Sequence, residues 1–155
     1  MGTHPFKDMP KVMNRAANAT DASVQFFMRR AATAIGNKLV ETTRVDTGLA
    51  RSNWVGTLDV PFDGVIPPYA PGNKLGIGEA ANFLGAIRQQ QTAIRGYRIR
   101  VHKSIHITNN VRYIQYLNNG SPTTSADMMF EKAIQAGRAS LRGLKINVTK
   151  LRRKK

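Results

Sequence analysis

The chain has 155 residues and carries 24 Lys and Arg against 9 Asp and Glu, a net charge of +15, and that length suits one domain with a real hydrophobic core. Hydrophobic residues at 41% exclude a wholly disordered chain despite the charge, and zero Cys excludes a disulfide scaffold, a thiolate metal site and a cysteine nucleophile. The longest apolar runs, Phe26-Phe27-Met28 and Met128-Met129-Phe130, are three residues each. A bilayer span needs about 20 and a signal peptide about 7–15, so the expectation is a soluble protein with no membrane contact and no secretion signal of the usual kind.

Residues 1–20, with Pro5, Pro10 and several Asn, show no period and read as an extended N-terminal arm. A single α+β domain is expected over 21–144. Asp21 is a plausible N-cap, after which Val24, Phe27, Met28, Ala31, Ile35, Leu39 and Thr42 recur at helical steps to about Thr43. Asp46-Thr47-Gly48 signals a turn. Trp54, Leu58 and Val60 on one parity then predict a strand over 51–60. Four Pro and four Gly make 61–78 a long loop.

Ala80, Phe83, Leu84, Ile87 and Ile94 predict a second helix from Glu79. Across 97–108, Ile99, Val101, Ile105 and Ile107 alternate with Arg98, Arg100, His102, Ser104, His106 and Thr108, which predicts a long, half-buried strand with a basic wet face. Lys103 breaks the apolar parity and suggests a bulge or an edge guarded by an inward charge. Val111 to Leu117 suggests a short helix stopped near Asn119-Gly120. Ser125 is a good N-cap for a final helix striped by Met129, Phe130, Ala133, Ile134, Gly137 and Leu141. Lys145 to Thr149 has the makings of a short strand, and 145–155 forms a basic C-terminal tail. The resulting fold is α+β: a small antiparallel sheet with long strands, packed against an N-terminal and a C-terminal helix.

The charge is unevenly placed. Residues 1–79 hold nine basic and seven acidic side chains, whereas 80–155 hold fifteen basic residues and only Asp127 and Glu131. Salt bridges within the chain cannot neutralise that half, so an anionic partner is expected. The residues expected to carry the attraction are Arg98, Arg100, Lys103, Arg112, Lys150, Arg152, Arg153, Lys154 and Lys155. Tyr97 and Tyr113 stand near the arginines as stacking partners for a single strand, but no RNA-recognition signature is present.

No catalytic constellation stands out in the chain. His102 and His106, four apart on a strand, stand about 13 Å apart, too far for one zinc. Asp127 and Glu131 are explained by the dipole of the helix they begin. Gly76-Ile77-Gly78 lacks the later Gly of a nucleotide loop, and no phosphate-loop Lys, serine elbow or triad is found. The expectation is a protein that is not an enzyme and has no catalytic residue, cofactor or metal.

Three segments together point further. Val45-Asp46-Thr47-Gly48-Leu49-Ala50-Arg51-Ser52-Asn53-Trp54 follows the first helix and resembles the "VDTG-x-x-R-x-x-W" turn of a family of minor tail components, tail-completion proteins and neck proteins of tailed bacteriophages. Ile107 to Leu117, with Asn109 and Tyr113, resembles that family's "ITN-x-x-x-Y-x-x-x-L" segment. Asn118-Asn119-Gly120-Ser121-Pro122, followed by Met128-Met129, is similar to its "E-x-G-S…G-M" loop and final helix. The likeness spans roughly residues 22 to 140. It departs from the family where Asn118 or Asn119 replaces a Glu, removing the acid of any ion pair normally made there, and in the basic tail.

The resemblance implies a structural virion protein, made in the host cytoplasm and placed at the head–tail junction. Its expected partners are copies of itself in a closed ring, the connector or adaptor and the tail proteins, with non-specific contact to packaged DNA. The residues themselves allow a second reading, a non-specific nucleic-acid-binding module. They also give the motif a physical role: Gly48 and Gly120 permit sharp reversals, and Arg51 and Trp54 sit where they can anchor the first helix.

Overall fold

The computed structural model describes residues 9–44, 46–72 and 78–145. Its longest element is helix α1, Met9–Thr42. Residues 9–20 are therefore helical rather than an extended arm. Most described side chains over 11–20 are exposed, so no apolar period marks the stretch, but Ala16, Ala17 and Ala19 are strong helix formers, and Pro10 falls in the first turn, where a missing N–H breaks no bond. Asp21 consequently lies inside α1 and pairs with Arg100 instead of capping a helix. Residues 1–8 lie outside the described residues.

Gly48, in the left-handed region at φ 83°, starts a single helical turn, α2 (Leu49–Ser52). Strand β1 (Val55–Leu58) pairs antiparallel with β2 (Ile105–Thr108), Val55 opposite Thr108 and Leu58 opposite Ile105. Helix α3 (Glu79–Gly96) lies between them in sequence, and α4 (Ile114–Asn119) and α5 (Met129–Ser140) follow. The architecture is α+β: helices around a two-stranded antiparallel sheet.

Both strands are shorter than the alternation predicts. Residues 49–53 spend their backbone on α2, with Ser52 and Asn53 N–H donating to Gly48 and Leu49 carbonyls. Residues 98–104 form a turn in which Val101 and His102 donate to the Arg98 carbonyl. Of the apolar parity there, Ile99 is half-buried against α1, while Val101 is exposed. Lys103 is neither a bulge nor an inward guard: it is exposed, and its N–H donates to Asp59 Oδ1 at 2.6 Å.

Residues 59–72 contain no helix or strand, and 73–77 lie outside the described residues. Asn82 ties this segment down, its Oδ1 accepting from Ala70 N–H and Ser52 Oγ and its Nδ2 donating to the Ala70 carbonyl. The α5 start is held not by Ser125 but by Asn118, whose Oδ1 accepts from Phe130 N–H at 2.9 Å. From residue 146 on, the anticipated strand and the basic tail, with Lys150 and Arg152 to Lys155, lie outside the described residues.

The core gathers Leu39 and Val40 of α1 with Ala50, Trp54, Ala86, Ile114, Met129 and Ala133. Both α3 and α5 run antiparallel to α1. Along α3, Glu79 reaches the α1 end through Arg51, Gln90 meets Gly36, and Tyr97 meets Arg29. Along α5, Met129 meets Thr43, Gly137 meets Ile35, and Ser140 meets Arg30.

Candidate functional site

Side chains from the motif segments converge on the C-terminal end of α1, where the last carbonyls of a helix lack partners of their own. Arg51 Nε and Nη2 donate to the Thr43 carbonyl at 3.0 and 2.6 Å, and Nη1 donates to Glu79 at 2.9 Å. Trp54 Nε1 donates to Thr43 Oγ1 at 2.7 Å. That hydroxyl in turn donates to the Leu39 carbonyl and lies 3.0 Å from Met129 Sδ. Phe130 covers the indole edge-on at 6.0 Å.

The second and third segments close on the same place. Asn109 Nδ2 donates to the Ala50 carbonyl at 2.7 Å. Tyr113 and Leu117 face Asp46, Thr47 and Gly48 across a cleft of about 540 Å³ that Arg44 also lines. Burial pushes the Tyr113 phenol above its ordinary pKa, with the Asp46 charge adding to the rise and a hydrogen bond to Thr47 opposing it. Arg44 Nε donates to Asp127 Oδ1, and its Nη2 to the Ser125 carbonyl, which locks the residue 121–128 turn onto the α1 end. Ser121 and Thr124 pair as a short bridge in that turn, just after Gly120 ends α4.

The cations named from the sequence are placed elsewhere and do not form one surface. Arg98, Arg100 and Lys103 lie on the turn after α3, beside the middle of α1, where Arg100 binds Asp21 at 2.6 Å and Asn18 at 2.8 Å. Arg112 is exposed at the far end of β2. Tyr97 is buried, so it is no free stacking platform, although His102 lies tilted against it.

Among the described residues, charge is sorted along α1. Around its C-terminal end sit Glu41, Asp46, Glu79, Asp127 and Glu131, largely offset by Lys38, Arg44, Arg51 and Lys132. The C-terminal ends of α3 and α5 both lie beside residues 25–31 of α1. They carry Arg95, Arg98, Lys103, Arg138, Arg142 and Lys145, none of them ion-paired among the described residues. Helix dipoles favour this sorting, acids at the starts of α3 and α5 and bases at their ends.

Sequence reasoning missed Thr43, Arg44, Asn82, Gln90 and Asp127. Asn82 and Gln90 carry a usable signal, since a polar side chain on the apolar stripe of a predicted helix needs a buried partner. Among the described residues no three His, Asp or Glu side chains come together as a metal site, and no helix is long and apolar enough to cross a membrane. Comparison of the chain with protein-family models, curated proteins and solved structures finds no match.

Proposed function

We propose that this chain is a structural subunit of a tailed-phage virion at the head–tail junction, acting in neck or tail completion as a homo-oligomeric ring between connector and tail. The observation that carries the reading is the meeting of the three motif segments. Residues 46–54 are far in sequence from the continuous stretch 107–129, yet side chains of both meet at the C-terminal end of α1. Segments that resemble a family only by chance have no reason to build one joint.

The outer surface supports an assembly role. Tyr116, Met128 and Ile134 on and beside α4 and α5 are each at least half exposed, which suits faces that neighbouring subunits cover. Among the described residues, Arg95, Arg98, Arg138 and Arg142 have no carboxylate partner, which suits attachment to DNA or to acidic protein. Electron microscopy of the purified protein, alone and after incubation with isolated tails or connectors, tests the reading. Closed rings and co-sedimentation with the particles are expected; a monomer that never sediments with them contradicts it.

The unpaired cations also favour a second reading, a free module that binds nucleic acid without sequence preference. That module binds short duplexes as a monomer or dimer and gives no particle association.

A further inference from the structure

We infer that the cationic ends of α3 and α5 together form a phosphate-binding surface for duplex DNA, distinct from the motif joint. The inference deepens the proposed function by choosing between its two anionic partners, and it rests on that function only for the source of the phosphates, packaged DNA.

Two clusters flank one stretch of α1. Arg95, Arg98 and Lys103 lie on one side, where Arg29 Nη2 grips the Tyr97 carbonyl and Gln25 accepts from Ile99 N–H. Arg138, Arg142 and Lys145 follow Gly137 and Ser140, which contact Ile35 and Arg30. All six are exposed. Among the described residues, the carboxylates that contact this turn are already engaged: Asp21 holds Arg100, and Asp59 accepts from the Lys103 and Ser104 N–H groups.

Magnitudes select the partner. Against six unpaired cations, the motif joint of a second copy offers, among the described residues, only Asp46 and Glu131 as carboxylates outside an ion pair. Self-association therefore leaves most of the charge uncompensated. A folded acidic protein intersperses both signs over its surface, and the centres of protein interfaces are depleted in charge. Duplex DNA supplies one negative charge about every 1.7 Å and releases counterions when phosphates are neutralised, and surfaces that bind it are polar and strongly positive. Four of the six are Arg, whose planar fork matches a phosphate.

The test measures the full chain binding a random-sequence duplex across a salt series. Six phosphate contacts predict a slope of log K against log salt of about −5 or steeper, a loss of about 10³-fold between 50 and 200 mM salt. Replacing Arg95, Arg98, Arg138 and Arg142 together by Gln lowers the slope magnitude by about 3.6, whereas Arg112→Gln leaves it unchanged. Exposed cations contribute little to folding, and circular dichroism with thermal unfolding checks that the fourfold variant keeps its fold. An unchanged slope in the fourfold variant, or no duplex binding at 50 mM salt, overturns the inference. Displacement of the duplex by poly-glutamate at equal charge concentration also overturns it, in favour of acidic protein. The assay contains no phage particle, so its failure is distinct from a failure of particle association.

Discussion

The hydroxyl of Thr43 lies 2.7 Å from the indole nitrogen of Trp54, so the last turn of α1 is pinned to the segment entering β1 by a buried hydrogen bond. The same hydroxyl donates to the Leu39 carbonyl. Thr43→Val keeps the shape but leaves a buried indole N–H without an acceptor, at a cost of about 1–3 kcal/mol. Thr43→Ser retains the bond and costs less. Thermal unfolding of the two variants ranks them; equal melting temperatures would falsify the pin.

Arg51 is buried, while its partner Glu79 is largely exposed. The guanidinium matters chiefly through its two bonds to the Thr43 carbonyl, which an ammonium cannot reproduce. Arg51→Lys is expected to lose about 1–3 kcal/mol, and Glu79→Gln less than about 1 kcal/mol. Denaturant titration that puts Glu79→Gln ahead of Arg51→Lys contradicts this ordering.

Gln90 Oε1 sits against the bare backbone of Gly36, where a Cβ would lie 2.2 Å away, and Gln90 Nε2 is held by the Trp54 carbonyl. Alanine is the better helix former by about 1 kcal/mol, but overpacking costs about 1–3 kcal/mol, so Gly36→Ala is expected to destabilise. In a Gln90→Ala background the main obstacle is gone, leaving the terminal methyl of Ile107 at 3.1 Å, which needs to give by only a few tenths of an ångström, and Gly36→Ala should become stabilising. A double-mutant cycle without that change of sign refutes the contact.

Asp59 accepts from the N–H of Lys103, which lowers its pKa below the ordinary carboxylate value; the Ser104 N–H and nearby positive charges act the same way, and desolvation opposes them. The folded state thus favours the charged form. The resulting stability is fully present above the unfolded-state pKa and is lost as pH falls through the lowered folded value. The melting-temperature gap between the native protein and Asp59→Ala should be open at pH 7 and close progressively below about pH 4. A gap that stays constant to pH 2 rules out the ionised cap.

The helices were legible where burial writes a period into the sequence. Residues 24–43, 79–94 and 129–141 each show an apolar stripe that the core then uses. Residues 9–20 were not, because helix propensity without burial leaves no stripe. The long strand over 97–108 failed for the opposite reason: Arg98 to His102 alternate by composition, but their backbone closes a turn. Arg51 and Trp54 were legible as an anchor because a guanidinium and an indole each need partners once buried. Their shared acceptor, Thr43, carried no such mark, and neither did Arg44 with Asp127, a pair 83 residues apart in sequence.

The structural-virion reading meets its most direct test in quantitative peptide mass spectrometry of tailed particles purified from cultures that produce this chain. The account predicts peptides of the chain in a fixed, multi-copy ratio to the connector subunit, unchanged by high-salt washing of intact particles. Particles that lack the chain, or carry it in amounts that wash away, contradict it.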